Sequence, residues 1–245
     1  MKRLNLQAHR VTQLFVLLLS FSSFFALAET EKYRDDLPPV LDDTGWDLML
    51  EENGVKVFTR DWPGSSFIAI KAVQMIHSPV SNIVANFSDI DAFPDWVKDM
   101  ADAYEVEPFD ENRSRKIYMR MGLPWPLGDR DIVSGQKLTQ DKQTKIVRIK
   151  EWHEGTAIPE KDGVIRMPRL NNEFVLIPEG VGLTRMVWQG HTEPGGLIPA
   201  FLVNWLVEDV FYESVMNMRK RFETPEFNKT ADWVVDFTTP KAEVL

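Results

Sequence analysis

Few side chains in this sequence are suited to catalysis. There are four histidines and no cysteine. The missing cysteine excludes a disulfide framework, a thiolate metal site, a catalytic thiol and an iron–sulfur cluster. His153-Glu154 lacks the second histidine of a zinc-protease helix, and Gly180-Val181-Gly182 lacks the third glycine of a dinucleotide loop. No Gly-x-Ser-x-Gly elbow and no phosphate-binding loop occurs. No metal and no cofactor is therefore expected. His191 with Glu193 has two readings, an acid–base pair at a cavity mouth or a strand-end histidine in solvent. Arg130 stands between Asp129 and Asp131, as a headgroup site or as an ion pair that fixes the start of a strand. Asp209 either meets a ligand or pairs with a sheet arginine, because buried carboxylates seldom stand alone.

The rest of the chain is apolar in a globular way. Of 245 residues, 44% are hydrophobic, and 15 Phe and 8 Trp supply more apolar surface than a solvated coil carries. The net charge of -9 leaves no general basic footprint for nucleic acid. Residues 1–28 read as a secretory signal peptide. Lys2, Arg3 and Arg10 precede an apolar run, and Ala26-Leu27-Ala28 gives a small-x-small cleavage site. The run of about 15 residues falls short of the roughly 20 that a spanning helix needs. Cleavage leaves 25 basic against 37 acidic side chains, in a periplasmic or secreted protein expected to be a monomer.

These residues need elements to position them. Residues 29–43 read as a linker, 44–223 as one domain and 224–245 as a polar tail with a sticky Trp233–Phe237 patch. Thr44 to Glu52 reads as a short helix stopped by Asn53-Gly54. Val55–Arg60 and Phe67–Ile76 read as a hairpin. Ser78-Pro79 opens a helix carrying Val80, Ile83, Val84 and Phe87 at helical spacing. A second short helix, Asp91–Lys98, centres on Trp96. Seven strands follow, at 103–108, 113–121, 129–138, 145–152, 163–167, 172–178 and 183–191, and tight turns between them predict an antiparallel meander. Pro199 to Phe222 has no glycine and no interior proline and predicts a helix about 36 Å long. Placed at about 100° per residue, Phe201, Trp205, Asp209, Tyr212 and Met216 share one arc of it. The fold class is α+β, a curved antiparallel sheet around a long C-terminal helix, enclosing a cavity.

Several segments resemble START domains, the lipid-transfer domains related to steroidogenic acute regulatory protein. The most specific is Leu123-Pro124-Trp125-Pro126-Leu127-Gly128-Asp129-Arg130-Asp131. Gly54–Arg60 resembles the first strand, and Asp91 to Trp96 the segment that ends in a buried tryptophan. Asp162–Met167 and Pro194–Trp205 are similar to the phosphatidylcholine-transfer branch. The resemblance spans roughly residues 44–222 and implies the helix-grip fold with a tunnel for one lipid. It also implies structural roles for Trp96, Pro124, Trp125, Pro126, Arg130 and Asp131.

The branch's headgroup residues do not carry over. Phe93 stands where that branch has the phosphate arginine. Met119 and Ile132 stand where it has aromatic choline contacts, and a quaternary ammonium needs aromatic faces. Sterol-binding members carry a buried acid–arginine pair, and Gln136 stands where the arginine is expected. Phe93, Met119, Met121 and Ile132 make an apolar lining instead, and Met side chains suit an irregular hydrocarbon. The expected function is non-enzymatic binding, with possible transfer, of a lipid or hydrophobic ligand, involving transient membrane contact. The alternative is a helix-grip enzyme of cyclase or aromatase type. Gly195 and Gly196, between the last strand and the long helix, are the expected gate.

Overall fold

The computed structural model describes residues 41–123, 128–155 and 157–238, without the side chains of 205–209. The signal-peptide reading, most of the linker, and Pro124, Trp125 and Pro126 lie outside the described residues. Two compact units are distinguished. Of the smaller, only the Pro63–Ser65 turn is described; all else below belongs to the larger.

Ten strands form one curved sheet: β1 Asp47–Glu52, β2 Val55–Arg60, β3 Ala69–Ile76, β4 Met100–Glu107, β5 Ser114–Met121, β6 Arg130–Gln140, β7 Val147–His153, β8 Ile165–Arg166, β9 Arg169–Gly180 and β10 Leu183–Glu193. Their spatial order is β1-β2-β3-β10-β9-β7-β6-β5-β4, so β1 and β4 are open edges. The last strand joins the first three to the rest, with Val187 registered on Val73. A pure meander is thus corrected twice. Strand β10 returns to β3, and β8 pairs with β6 in parallel, outside the main path.

The expected helix at Thr44–Glu52 is also corrected, to strand β1. Asn53 and Gly54 sit at φ 48° and 71°, the left-handed pair of a two-residue hairpin turn. They register Glu52 on Val55 and turn the chain straight into β2. The Asn-Gly dipeptide is therefore a hairpin signal here and not a helix stop.

Among the described residues three α-helices complete the fold: α1 Val80–Ser88, α2 Phe93–Trp96 and α3 Ala200–Glu223. The apolar stripe of α1 buries Val80, Ile83, Val84 and Phe87. Phe87 meets Phe174 at 4.8 Å and Phe222 at 5.5 Å, while Trp96 meets Phe222 at 5.6 Å edge-on. Each such side chain contributes about 1.5–3 kcal/mol by leaving water. This aromatic cluster fixes both short helices against the end of α3.

The segment after α3 folds back over α1. Asp236 accepts from the Ser81 backbone N–H at 2.9 Å and from its hydroxyl, close to the open N-terminus of α1. Val235 exchanges two hydrogen bonds with the Gln140 side chain, and Arg113 lies 4.3 Å over the Trp233 ring.

Candidate functional site

The sheet and α3 wall a partly open cavity of about 310 Å³. From β5 and β6 come Met119, Met121, Arg130 and Ile132; from α2, Phe93 and Trp96. Strands β9 and β10 add Phe174, Trp188 and Gly190, and α3 adds Phe211, Ser214 and Met218. The structure therefore brings together Phe93, Met119, Met121 and Ile132 in one lining, with the two methionines of β5 on the same face as parity predicts. Arg120, between the two methionines, points the other way and pairs with Asp129 at 3.0 Å.

The predicted face of α3 is corrected. Phe201 is 77% exposed. Tyr212 and Met216 pack against β2 and β3, around Val57 and Ala72. The Tyr212 hydroxyl accepts from Asn53 Nδ2 at 2.8 Å. The cavity face is Phe211, Ser214 and Met218 instead. The helix has two neighbouring apolar sectors, and periodicity gives their widths without saying which one meets the lumen. The side chains of Trp205 and Asp209 lie outside the described residues.

Arg130 and Asp131 are both buried, at 2% and 1% exposure, but they are not a mutual pair. Asp131 takes a forked bond from Arg166, Nε to Oδ1 at 2.7 Å and Nη2 to Oδ2 at 3.2 Å. This pair clamps β8 onto β6 and raises the Arg166 pKa above its ordinary value. Arg130 Nη1 donates to the Gly128 carbonyl at 2.6 Å, and burial pulls its pKa down. The solvent reading of His191 is corrected as well. It is buried and stacked on Trp62 at 4.7 Å.

Gly195 and Gly196 occupy φ 67° and 68° in the loop between β10 and α3. A β-carbon on Gly195 would lie 3.0 Å from the Arg166 carbonyl oxygen, and one on Gly196 would lie 3.1 Å from Ile165 Cδ1. The loop thus packs closely on β8. Thr192 and Pro194, just before it, line the cavity. Leu197, just after it, is wholly exposed.

The sequence reading missed the cavity's polar floor. Glu151 lines the cavity at 5% exposure, beside Asn172. Burial pushes the Glu151 carboxyl above its ordinary pKa, against hydrogen bonds from Gln136 and Asn172 and the charge of Arg115, all of which pull it down. The available signal was parity. Glu151 continues the inward alternation of Val147 and Ile149 along β7.

Comparison with known proteins accords with this architecture. A START domain model matches residues 28–226. An uncharacterized protein of Pseudomonas aeruginosa is 32% identical over 178 residues, covering 73% of this chain and 87% of that protein. The phosphatidylcholine transfer protein of Bos taurus is 23% identical over 175 residues, covering 70% and 81%. Among solved structures, a fragment of a STAR-related lipid transfer protein from Xanthomonas axonopodis superposes with a TM-score of 0.68 at 23% identity. It covers 74% of this chain and 99% of the fragment. Human StAR-related lipid transfer protein 5 gives 0.63 at 16%, covering 85% and 96%.

Proposed function

This chain belongs to the START domain family, and on that premise we propose that it binds one lipid or similar hydrophobic molecule in its cavity and carries it between membranes, as a monomer and without chemistry. The carrying observation is the cavity itself, about 310 Å³ walled by Phe, Met, Ile and Trp side chains from sheet and helices. Such a space loses dispersion contacts while empty and gains apolar burial when filled. The names of the transfer proteins it resembles support movement as well as binding.

An enzyme of cyclase or aromatase type needs ionisable groups converging on one point of a substrate. The ionisable side chains among the described lining residues are Lys98, between α2 and β4, Arg130 on β6 and Glu151 on β7. That distribution supports holding a ligand over turning one over.

Entry requires an opening. The loop carrying Gly195 and Gly196 borders the cavity and ends in exposed Leu197, with Phe201 close behind on α3. We assign this loop as the gate and the two apolar side chains as a transient membrane contact. The pattern ending at Ala28 supports export, and intact-mass measurement of exported protein should find a chain beginning at Glu29. The binding reading is tested by native mass spectrometry of protein purified without detergent. One lipid mass per chain is expected. A ligand-free chain that also takes up nothing from vesicles would overturn it.

A further inference from the structure

One row of residues crosses five strands at the cavity floor. Gly190 on β10 registers on Asn172, Asn172 on Glu151, Glu151 on Gln136, and Gln136 on Arg115. Residues directly opposite across strands share a face. The Arg115 side chain is fully buried. Its Nε donates to Gln136 Oε1 at 2.8 Å, and its Nη atoms reach the Phe87 and Ser88 carbonyls and the Glu105 carboxylate.

This end of the row sets the orientation of the rest. A guanidinium has donors only, so the Gln136 carbonyl oxygen must face Arg115 and its amide NH2 must face away. There Nε2 donates to Glu151 Oε1 at 2.8 Å. On the other side, Asn172 Nδ2 donates to Glu151 Oε2 at 3.3 Å. Asn172 has room because its neighbour is Gly190, where a β-carbon would lie 2.0 Å from Asn172 Oδ1. The carboxyl is thus held at both oxygens, with two of its roughly four acceptor sites used. It stands in the wall of a cavity faced mainly by apolar side chains, Phe93, Met119, Ile132, Phe174, Phe211 and Met218 among them, with Lys98 and Arg130 as the other ionisable residues of the described lining.

We propose that Glu151 is the polar anchor of the ligand, accepting a hydrogen bond from a hydroxyl group on a compact neutral lipid. This rests on the lipid-binding reading and names the ligand class within it. A carboxyl oxygen fixed at this depth in the wall rewards a hydrogen-bond donor such as a hydroxyl. A volume of about 310 Å³ lies at the lower end of the usual range for ligand sites, roughly 300–1,000 Å³. That favours a single-chain or compact molecule. A site built to bond a hydroxyl also rejects an analogue that lacks the donor, because the buried acceptor is then left unpaired.

The test uses a pyrene-labelled dodecanol and its methyl ether, which differ by that donor alone, with binding read by pyrene fluorescence. The wild-type chain should bind the alcohol about tenfold or more tighter than the ether, the range for leaving one buried acceptor unpaired. In Glu151→Gln the preference should shrink to about threefold or less. Equal wild-type binding of the two probes would overturn the anchor and leave lipid binding standing. Full preference retained in Glu151→Gln would move the anchor elsewhere. Failure of both probes to bind would overturn a hydroxyl-lipid ligand, and native mass spectrometry would then decide the broader reading separately. The wild-type comparison stands even if the variant fails to fold.

Discussion

Gly190 stands opposite Asn172 with no space for a side chain, since a β-carbon there would lie 2.0 Å from Asn172 Oδ1 and 3.3 Å from the Asn171 carbonyl oxygen. The glycine therefore sets the position of the asparagine, and through it one of the two bonds that hold Glu151. Gly190→Ala should push Asn172 off the carboxyl. Overpacking at a buried strand position costs about 1–3 kcal/mol, to be read from the midpoint of guanidinium unfolding. An unchanged midpoint would show that Asn172 has another position available.

Filling the cavity should separate capacity from stability. Both Met119 and Ile132 line the space, but Met119 is only partly buried, whereas Ile132 is 4% exposed and packed tightly with Met167 and Leu170. Met119→Trp should lower lipid stoichiometry while costing less than about 1 kcal/mol. Ile132→Trp should cost the full 1–3 kcal/mol of an overpacked core. Stoichiometry by native mass spectrometry and thermal melting together check both. Equal costs for the two variants would erase the distinction between wall and core.

The Glu151 carboxyl gives a pH signature with a definite sign. Its folded pKa is raised above the ordinary 4.5, first of all by burial. Below that ordinary value both folded and unfolded chains hold the proton, and the contribution to stability is fully present. As pH rises through the window between the unfolded and folded values, the unfolded chain ionises first and stability is lost. Glu151→Gln lacks this loss. The stability of wild type relative to the variant should therefore fall as pH rises above about 4.5, then level off. Denaturant melts of both proteins across that range check it, and a difference independent of pH would refute it.

The gate should be lockable. Ile165 and Gly196 touch across the loop–β8 contact, and the chain contains no cysteine to interfere. Ile165→Cys with Gly196→Cys should form a disulfide that slows lipid uptake and release several-fold, with nearly unchanged equilibrium affinity and recovery in reductant. Stopped-flow exchange with vesicles measures this. Unaltered rates in the verified disulfide form would place the entrance elsewhere, with the Trp152–Asp162 loop next in line.

Much of the architecture was legible because hydrophobic alternation and turn chemistry agreed along most of the chain. Strands β5, β6 and β10, helix α1 and helix α3 all follow from local pattern. Parity was enough to set Met119 and Met121 inward and Arg120 outward. Hairpin and helix stop share the Asn53-Gly54 signal, so β1 was not separable from a helix by local pattern. The lumen face of α3 depends on which of two apolar sectors the sheet covers, a tertiary choice. The polar floor was hidden for another reason. Arg115, Gln136, Glu151 and Asn172 lie 15 to 21 residues apart along the chain, and only strand register makes them neighbours.

The bond from Ser81 to Asp236 spans 155 residues. Strand β3 likewise waits for β10, since Ala72 registers on Trp188. A ribosome therefore releases the first hairpin and α1 long before either has its partner. Such a chain has high contact order and closes slowly, with its central seam joined only once β10 has been made. Trimming the segment after α3 would remove the partners of Ser81 and Gln140, and the effect should fall on α1, left without its cover, while the β3–β10 seam keeps its own register.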